Sequence, residues 1–172
     1  MRTAIILQRE KMYCPIIGTL GYILSPDRTQ TLLIHRNSRS DDHHFDKYNG
    51  LGGKMHPDED VLSCLRREIW EEAEIECDEI LLRGTINWTG FDARGENWLG
   101  FIFRIEKFRG VPCLSNDEGT LAWFPVDSLD KLPMWEGDRY FLPLVFDDDP
   151  RMFHGFMPYR DGRPLSWHFV RI

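Results

Sequence analysis

Apolar residues between Val61 and Ala73 recur at steps of three and four: Val61, Leu62, Leu65, Ile69 and Ala73. Steps of that size fall on one stripe of an α-helix, so the spacing predicts a helix with one buried side. Glu68, Glu71 and Glu72 recur at the same steps on another face. Neighbours at i, i+3 and i+4 lie side by side on a helix, so these three carboxylates are expected to converge. A glycine turn, Gly50-Leu51-Gly52-Gly53, and the acidic run Pro57-Asp58-Glu59-Asp60 lead into this stretch.

Elsewhere the pattern is that of strands. Residues 16–24 (IIGTLGYIL) and 31–36 (TLLIHR) read as two strands around the turn residues Ser25-Pro26-Asp27-Arg28, which predicts a hairpin. Residues 37–47 are polar and aperiodic, a loop in which His43 and His44 read as a solvated pair. Further strands are predicted over 83–89, 98–108 and 118–124, with turns at 92–96 and 109–117 between them. A short turn or helix start follows at 125–129. A second helix is predicted from Asp138, cut short or interrupted by Pro143. Strands over 153–159 and 165–172 close the chain. Strands flanking one long helix, with a second helix near the end, predict an α+β sandwich on a mixed sheet. No repeat, linker or composition shift divides it, so residues 1–172 are read as one domain.

Composition narrows the function. Hydrophobic residues make up 42% and charged residues 28%, the balance of a globular protein with a core. No run approaches the ~20 apolar residues that span a bilayer. The opening stretch MRTAIILQREKMYC lacks a long apolar region and a cleavage site, and is read as mature chain. Cys14, Cys64, Cys77 and Cys113 form no C-x-x-C pair and are read as free thiols in a reducing cytoplasm. A net charge of −7 argues against a nucleic-acid polymer as partner, since phosphate backbones are bound by basic surfaces. It leaves a small nucleotide open, because a metal ion can carry the positive charge.

Three like-charged carboxylates on one helix face repel, unless a hard cation such as Mg²⁺ takes their oxygens as ligands. The carboxylates by themselves equally suit a solvated acidic face. Gly53, Glu59, Arg67, Glu68, Ile69, Glu71, Glu72 and Ile75 stand where the signature G-x5-E-x7-R-E-U-x-E-E-x-G-U requires them, U being aliphatic. This segment resembles the signature of the Nudix (MutT-type) pyrophosphohydrolases, with one departure: Glu74 replaces the second glycine. That glycine ends the helix in a left-handed conformation, which costs glutamate about 1 kcal/mol.

The resemblance implies an α/β/α sandwich and cleavage of a phosphoric anhydride with Mg²⁺, or Mn²⁺ in its place. By resemblance Glu68 and Glu72 are metal ligands, and Glu71 either ligates or serves as general base. Carbonyls at Gly52 or Gly53 help to hold the metal, and Arg67 orients a neighbouring glutamate. Glu59 joins the metal shell or starts the helix, where its charge suits the dipole. Glu118 supplies a further ligand or base. Lys54 and Arg36 are placed to meet phosphate oxygens.

More of the chain is similar to one branch of that family, the 8-oxo-dGTP diphosphatases. The stretches are Tyr48-Asn49-Gly50-Leu51-Gly52-Gly53-Lys54, Asp117-Glu118 before Trp123-Phe124, Met134-Trp135-Glu136-Gly137-Asp138, and Phe153-His154-Gly155. By that resemblance Asn49, Trp135 and Asp138 contact the base, with Thr19 as a further contact. A tryptophan face stacks a purine, and an amide or carboxyl group reads its edge. The branch's mammalian member has two successive aspartates here, whereas Gly137-Asp138 leaves one. Other readings stay open: another nucleoside triphosphate, a nucleotide-sugar, or a non-catalytic nucleotide sensor. Whether the chain is a monomer or a homodimer is not encoded in these motifs.

Overall fold

The computed structural model describes residues 12–41, 44–91 and 94–172. Most of the opening stretch, His43 and Asp92 lie outside them. The strands are β1 (Ile16–Leu24), β2 (Gln30–His35), β3 (Tyr48–Asn49), β4 (Glu76–Thr89), β5 (Trp98–Arg109), β6 (Thr120–Pro125), β7 (Phe153–Arg160), β8 (Arg163–Pro164) and β9 (His168–Arg171). The helices are α1 (Val61–Ala73) and α2 (Asp138–Phe146), with a 3-10 turn over Val126–Lys131.

The strands form one mixed sheet. The expected β1–β2 hairpin is present, pairing Ile23 with Leu32. β1 then runs parallel to β5, β5 antiparallel to β4, and β4 parallel to β7. β6 adds to the other edge of β2, and β9 to β7.

Period-two alternation along the central strands feeds a core on each face of the sheet. Tyr22, Leu33 and Ile102 point to one side, where Phe141, Leu142 and Val145 of α2 cover them. Ile23, Leu32, Ile34 and Phe103 point to the other, under Leu65, Ile69 and Ala73 of α1. Both helices therefore lie on the sheet through their apolar stripes, which makes the α+β sandwich.

Helix α1 starts at Asp60, whose carboxylate accepts the Leu62 and Ser63 amides at 2.8 and 3.0 Å. The N-cap is thus Asp60 and not Glu59. Leu62, expected in the buried stripe, is exposed. Glu74 does take the left-handed conformation, φ 58° and ψ 31°, and its amide donates to Trp70 O at 2.9 Å. The helix thus ends where the missing glycine would have ended it.

Several boundaries differ from expectation. β4 begins at Glu76, seven positions ahead of the expected start, because its outer half pairs along β5 from Arg109 inward. β6 begins at Thr120, the residue opposite His35, so Glu118 precedes the strand instead of opening it. The strand expected over 165–172 is shortened to β9, and two-residue β8 precedes it.

The C-terminus of α2 has no basic residue in its last turn. Two buried arginines from the sheet serve it instead. Arg83 donates to the Leu144, Val145 and Asp149 carbonyls at 3.2, 3.1 and 2.8 Å, and Arg104 to Val145 O at 3.1 Å. They satisfy carbonyls that the helix end leaves unpaired and place positive charge at the negative pole of its dipole. All four cysteines are free thiols, as read from the sequence. No helix among the described residues is long and apolar enough to cross a membrane.

Candidate active site

The glycine turn is built into the sheet before it reaches α1. Gly21 N–H donates to Leu51 O at 2.6 Å and Thr19 N–H to Gly53 O at 2.9 Å, which presses the turn onto β1. Gly52 has φ 146°, and a side chain there would meet Thr19 O at 2.2 Å. A residue with a Cβ fits neither that backbone nor that space. At Gly53 a Cβ would strike the Glu68 carboxylate at 2.5 Å, so the turn and the acidic face are in contact.

Glu72 is the most enclosed acid of α1, 6% exposed. Gly52 N–H donates to its Oε2 at 2.8 Å. Beside it stands Glu118, carried there by the loop before β6. Asn116 ties that loop down: its amide donates to Glu72 O at 2.9 Å, while its Oδ1 accepts the Glu118 and Gly119 amides at 2.8 and 3.0 Å. Burial, then the neighbouring Glu118, then the charge of Glu68 push the Glu72 carboxyl well above the usual carboxylate range. Arg36 lies against both, ion-paired with Glu118 and 4.0 Å from Glu72 Oε1.

Arg67 organises the helix start. It grips Glu59 through both oxygens, at 3.0 and 2.7 Å, and donates to Glu68 at 2.8 Å, to Glu71 at 3.3 Å and to Lys54 O at 3.2 Å. This guanidinium, and the amide of His56, hold the Glu59 carboxyl down to about 2. Glu59 is therefore a clamped carboxylate. Glu71 departs from the expected convergence: its side chain is 56% exposed and turned to Arg67. Glu68 and Glu72 face inward while Glu71 does not line the cleft.

That cleft measures about 600 Å³. Glu68, Glu72, Glu118, Arg36, Gly52 and Gly53 line it at one end. Asn49, Trp135, Asp138 and Thr19 line it as well, with Lys54. The fold thus brings the residues expected to meet phosphate and those expected to meet the base into one space. Thr19 is 5% exposed, its Oγ1 3.5 Å from Cys64 Sγ, and Lys54 Nζ sits 5.1 Å from the Trp98 ring centre. Burial raises the Asp138 carboxyl to about 7, the Trp135 backbone contact and the charges of Arg139 and Lys47 opposing it.

The sequence missed several members of this site. Trp88, Phe91 and Trp98 add aromatic wall. Trp88 and Trp98 are register partners across β4 and β5, a relationship visible only once the strands are paired. His44 is not solvated: it is half-buried and lines the cleft, accepting the Trp135 indole N–H at 2.9 Å. Asn116 had a local signal, the Asn-Asp-x-Gly turn composition, but its contact with Glu72 did not.

Among the described residues no three His, Cys, Asp or Glu side chains stand at metal-ligand spacing. The donor chemistry nevertheless fits a hard divalent cation. Glu68, Glu72 and Glu118 crowd together beside the glycine turn, with the guanidiniums of Arg36 and Arg67 paired against them.

The chain is similar to known proteins over most of its length. The sequence model of the NUDIX domain matches residues 17–145. The oxidized purine nucleoside triphosphate hydrolase of Danio rerio is 32% identical over 124 residues, 71% of this chain and 76% of that protein. The mouse protein of the same name is 28% identical over 153 residues, 89% of this chain and 92% of its own. The crystal structure of the mutator MutT protein from Bacillus halodurans superposes with a TM-score of 0.76 at 27% identity, over 90% of this chain and 97% of that one.

Proposed function

The chain belongs to the NUDIX family of hydrolases acting on pyrophosphate bonds, and from that premise we propose that it is a Mg²⁺-dependent hydrolase of oxidised purine nucleoside triphosphates. The substrate is of the 8-oxo-dGTP kind, and the products are the monophosphate and pyrophosphate. One observation carries the reading: a single cleft joins the acidic cluster of Glu68, Glu72 and Glu118 to Asn49, Trp135 and Asp138. The names of the fish and mouse relatives support the same substrate class.

In this reading Glu68 and Glu72 would hold the cation, with a carbonyl of the glycine turn. When bound, Mg²⁺ would screen charge at the phosphates and assist attack by water. The chain's own groups do the rest. Arg67 keeps Glu68 turned into the cleft, and the Gly52 amide fixes Glu72. Glu118, half-buried and tied by Asn116, takes the proton of the attacking water, the role that exposed Glu71 is badly placed to fill. Arg36 and Lys54 meet phosphate oxygens. Trp135 stacks the purine while Asn49 and Asp138 read its edge. With one aspartate at this position, the edge of the base is read by a single carboxyl group. Such an activity sanitises the nucleotide pool.

The test is a panel of canonical and oxidised purine and pyrimidine triphosphates, with nucleotide-sugars alongside and product identification. The expected result is preference for oxidised purines, release of pyrophosphate, loss of activity in chelator and its return with Mg²⁺ or Mn²⁺. Preference for a nucleotide-sugar, or turnover that persists in chelator, overturns the proposal.

A further inference from the structure

Trp135 carries one polar atom, the indole Nε1–H, which can only donate. In this structure the atom is already engaged: it donates to His44 Nδ1 at 2.9 Å, across 91 positions of sequence. The two rings stand at 87° with centroids 5.6 Å apart. Phe91 completes the set, 5.5 Å from Trp135 and 6.3 Å from His44. Lys47, which does not line the cleft, holds its ammonium 5.6 Å from the Trp135 ring centre.

An indole on a loop turns freely about two side-chain bonds. A directed hydrogen bond removes that freedom, because the donor points along the ring plane and the acceptor lone pair along the imidazole plane. We propose that His44 is a positioning residue that fixes the plane of Trp135 for the base. The inference rests on the reading of this cleft as a purine site and deepens it. Two consequences follow. Trp135 meets a ligand through its face alone, since its only donor is engaged, so hydrogen-bond reading of the base falls to Asn49 and Asp138. The loop position that carries His44 becomes part of substrate selection.

Substitution separates hydrogen bonding from packing. His44→Phe keeps an aromatic ring beside Phe91 and Trp135 and removes the acceptor. His44→Asn removes the ring and returns an acceptor oxygen close to the Nδ1 position. In the ligand-free protein, the Trp135 indole N–H resonance, assigned by its absence in Trp135→Phe, is expected to shift in His44→Phe and to return towards its original position in His44→Asn. With 8-oxo-dGTP as substrate, His44→Phe is expected to raise KM about fivefold or more, with kcat falling less than twofold, and His44→Asn to recover most of the KM. In a Trp135→Phe background the His44→Phe change is expected to lose most of its effect, as coupled residues do.

An indole resonance unmoved by His44→Phe, equal KM effects of the Phe and Asn variants, or an undiminished His44 effect without the indole N–H would each overturn the proposal. The purine reading fails by a different result, absence of saturable turnover of 8-oxo-dGTP by the unmodified protein. The resonance series then decides the role of His44 by itself.

Discussion

Arg67 holds Glu59 by a two-pronged grip, Nε to Oε2 at 3.0 Å and Nη2 to Oε1 at 2.7 Å, and reaches Glu68 from the same guanidinium at 2.8 Å. The two glutamates are eight and one positions away in sequence, and one planar cation sets the orientation of both. Lysine is a point charge without that fork. Arg67→Lys is expected to lower kcat about tenfold, the usual size for a residue that orients a ligand. Steady-state kinetics with 8-oxo-dGTP checks this, and an unaltered kcat would free Glu68 from dependence on Arg67.

Glu72 is buried, receives the Gly52 amide and faces Glu118. Glu72→Gln keeps the shape and the accepted hydrogen bond and removes the charge. Turnover is expected to fall by about 10²–10⁴-fold, the range for loss of a group acting directly on a reacting centre. The melting temperature should hold or rise, because a buried like-charge contact is relieved. Activity within a few-fold of the parent would take Glu72 out of the catalytic centre.

Asp138 links the cleft to pH. Its carboxyl is raised to about 7 by burial, from an ordinary value of 3.8. The folded state therefore holds a proton that the unfolded chain has released. Stability from this group is fully present below the unfolded value and is lost as pH rises through the folded one. The loss runs from about pH 4 to 7 and amounts to roughly 3–5 kcal/mol. Asp138→Asn, neutral throughout, should flatten that part of the profile. Denaturant melts of both proteins across the window provide the comparison, and parallel profiles would assign the pH dependence elsewhere.

Arg83 tests the fold apart from the site. It is buried and supplies hydrogen bonds to four carbonyls and to Asp147 Oδ1 at 2.8 Å. Arg83→Met fills much of the volume and removes those hydrogen bonds, while Arg104 still donates to Val145 O and Asp147 O. The expected loss is about 3 kcal/mol, or a Tm lower by roughly 6–12 °C for a chain of this size. Calorimetry measures it directly. A loss below about 1 kcal/mol would mean that Arg104 alone satisfies the end of α2.

What the sequence determined about this protein was local. The steps of three and four from Val61 to Ala73 dictated α1, and alternation dictated most strands, because helix and strand periods are properties of the backbone itself. The fixed spacing from Gly53 to Ile75 gave the acidic face and the family. Tertiary structure decided what those residues meet. Glu71 and Glu72 are adjacent in sequence, yet one helical step of about 100° turns the first to solvent and the second into the cleft. Glu118 arrives beside Glu72 because the β2–β6 register and Asn116 bring it there. His44 reaches Trp135 across 91 positions because two loops meet over one sheet. Strand register and loop meeting points depend on which faces pack together, and no periodicity along a single segment records them.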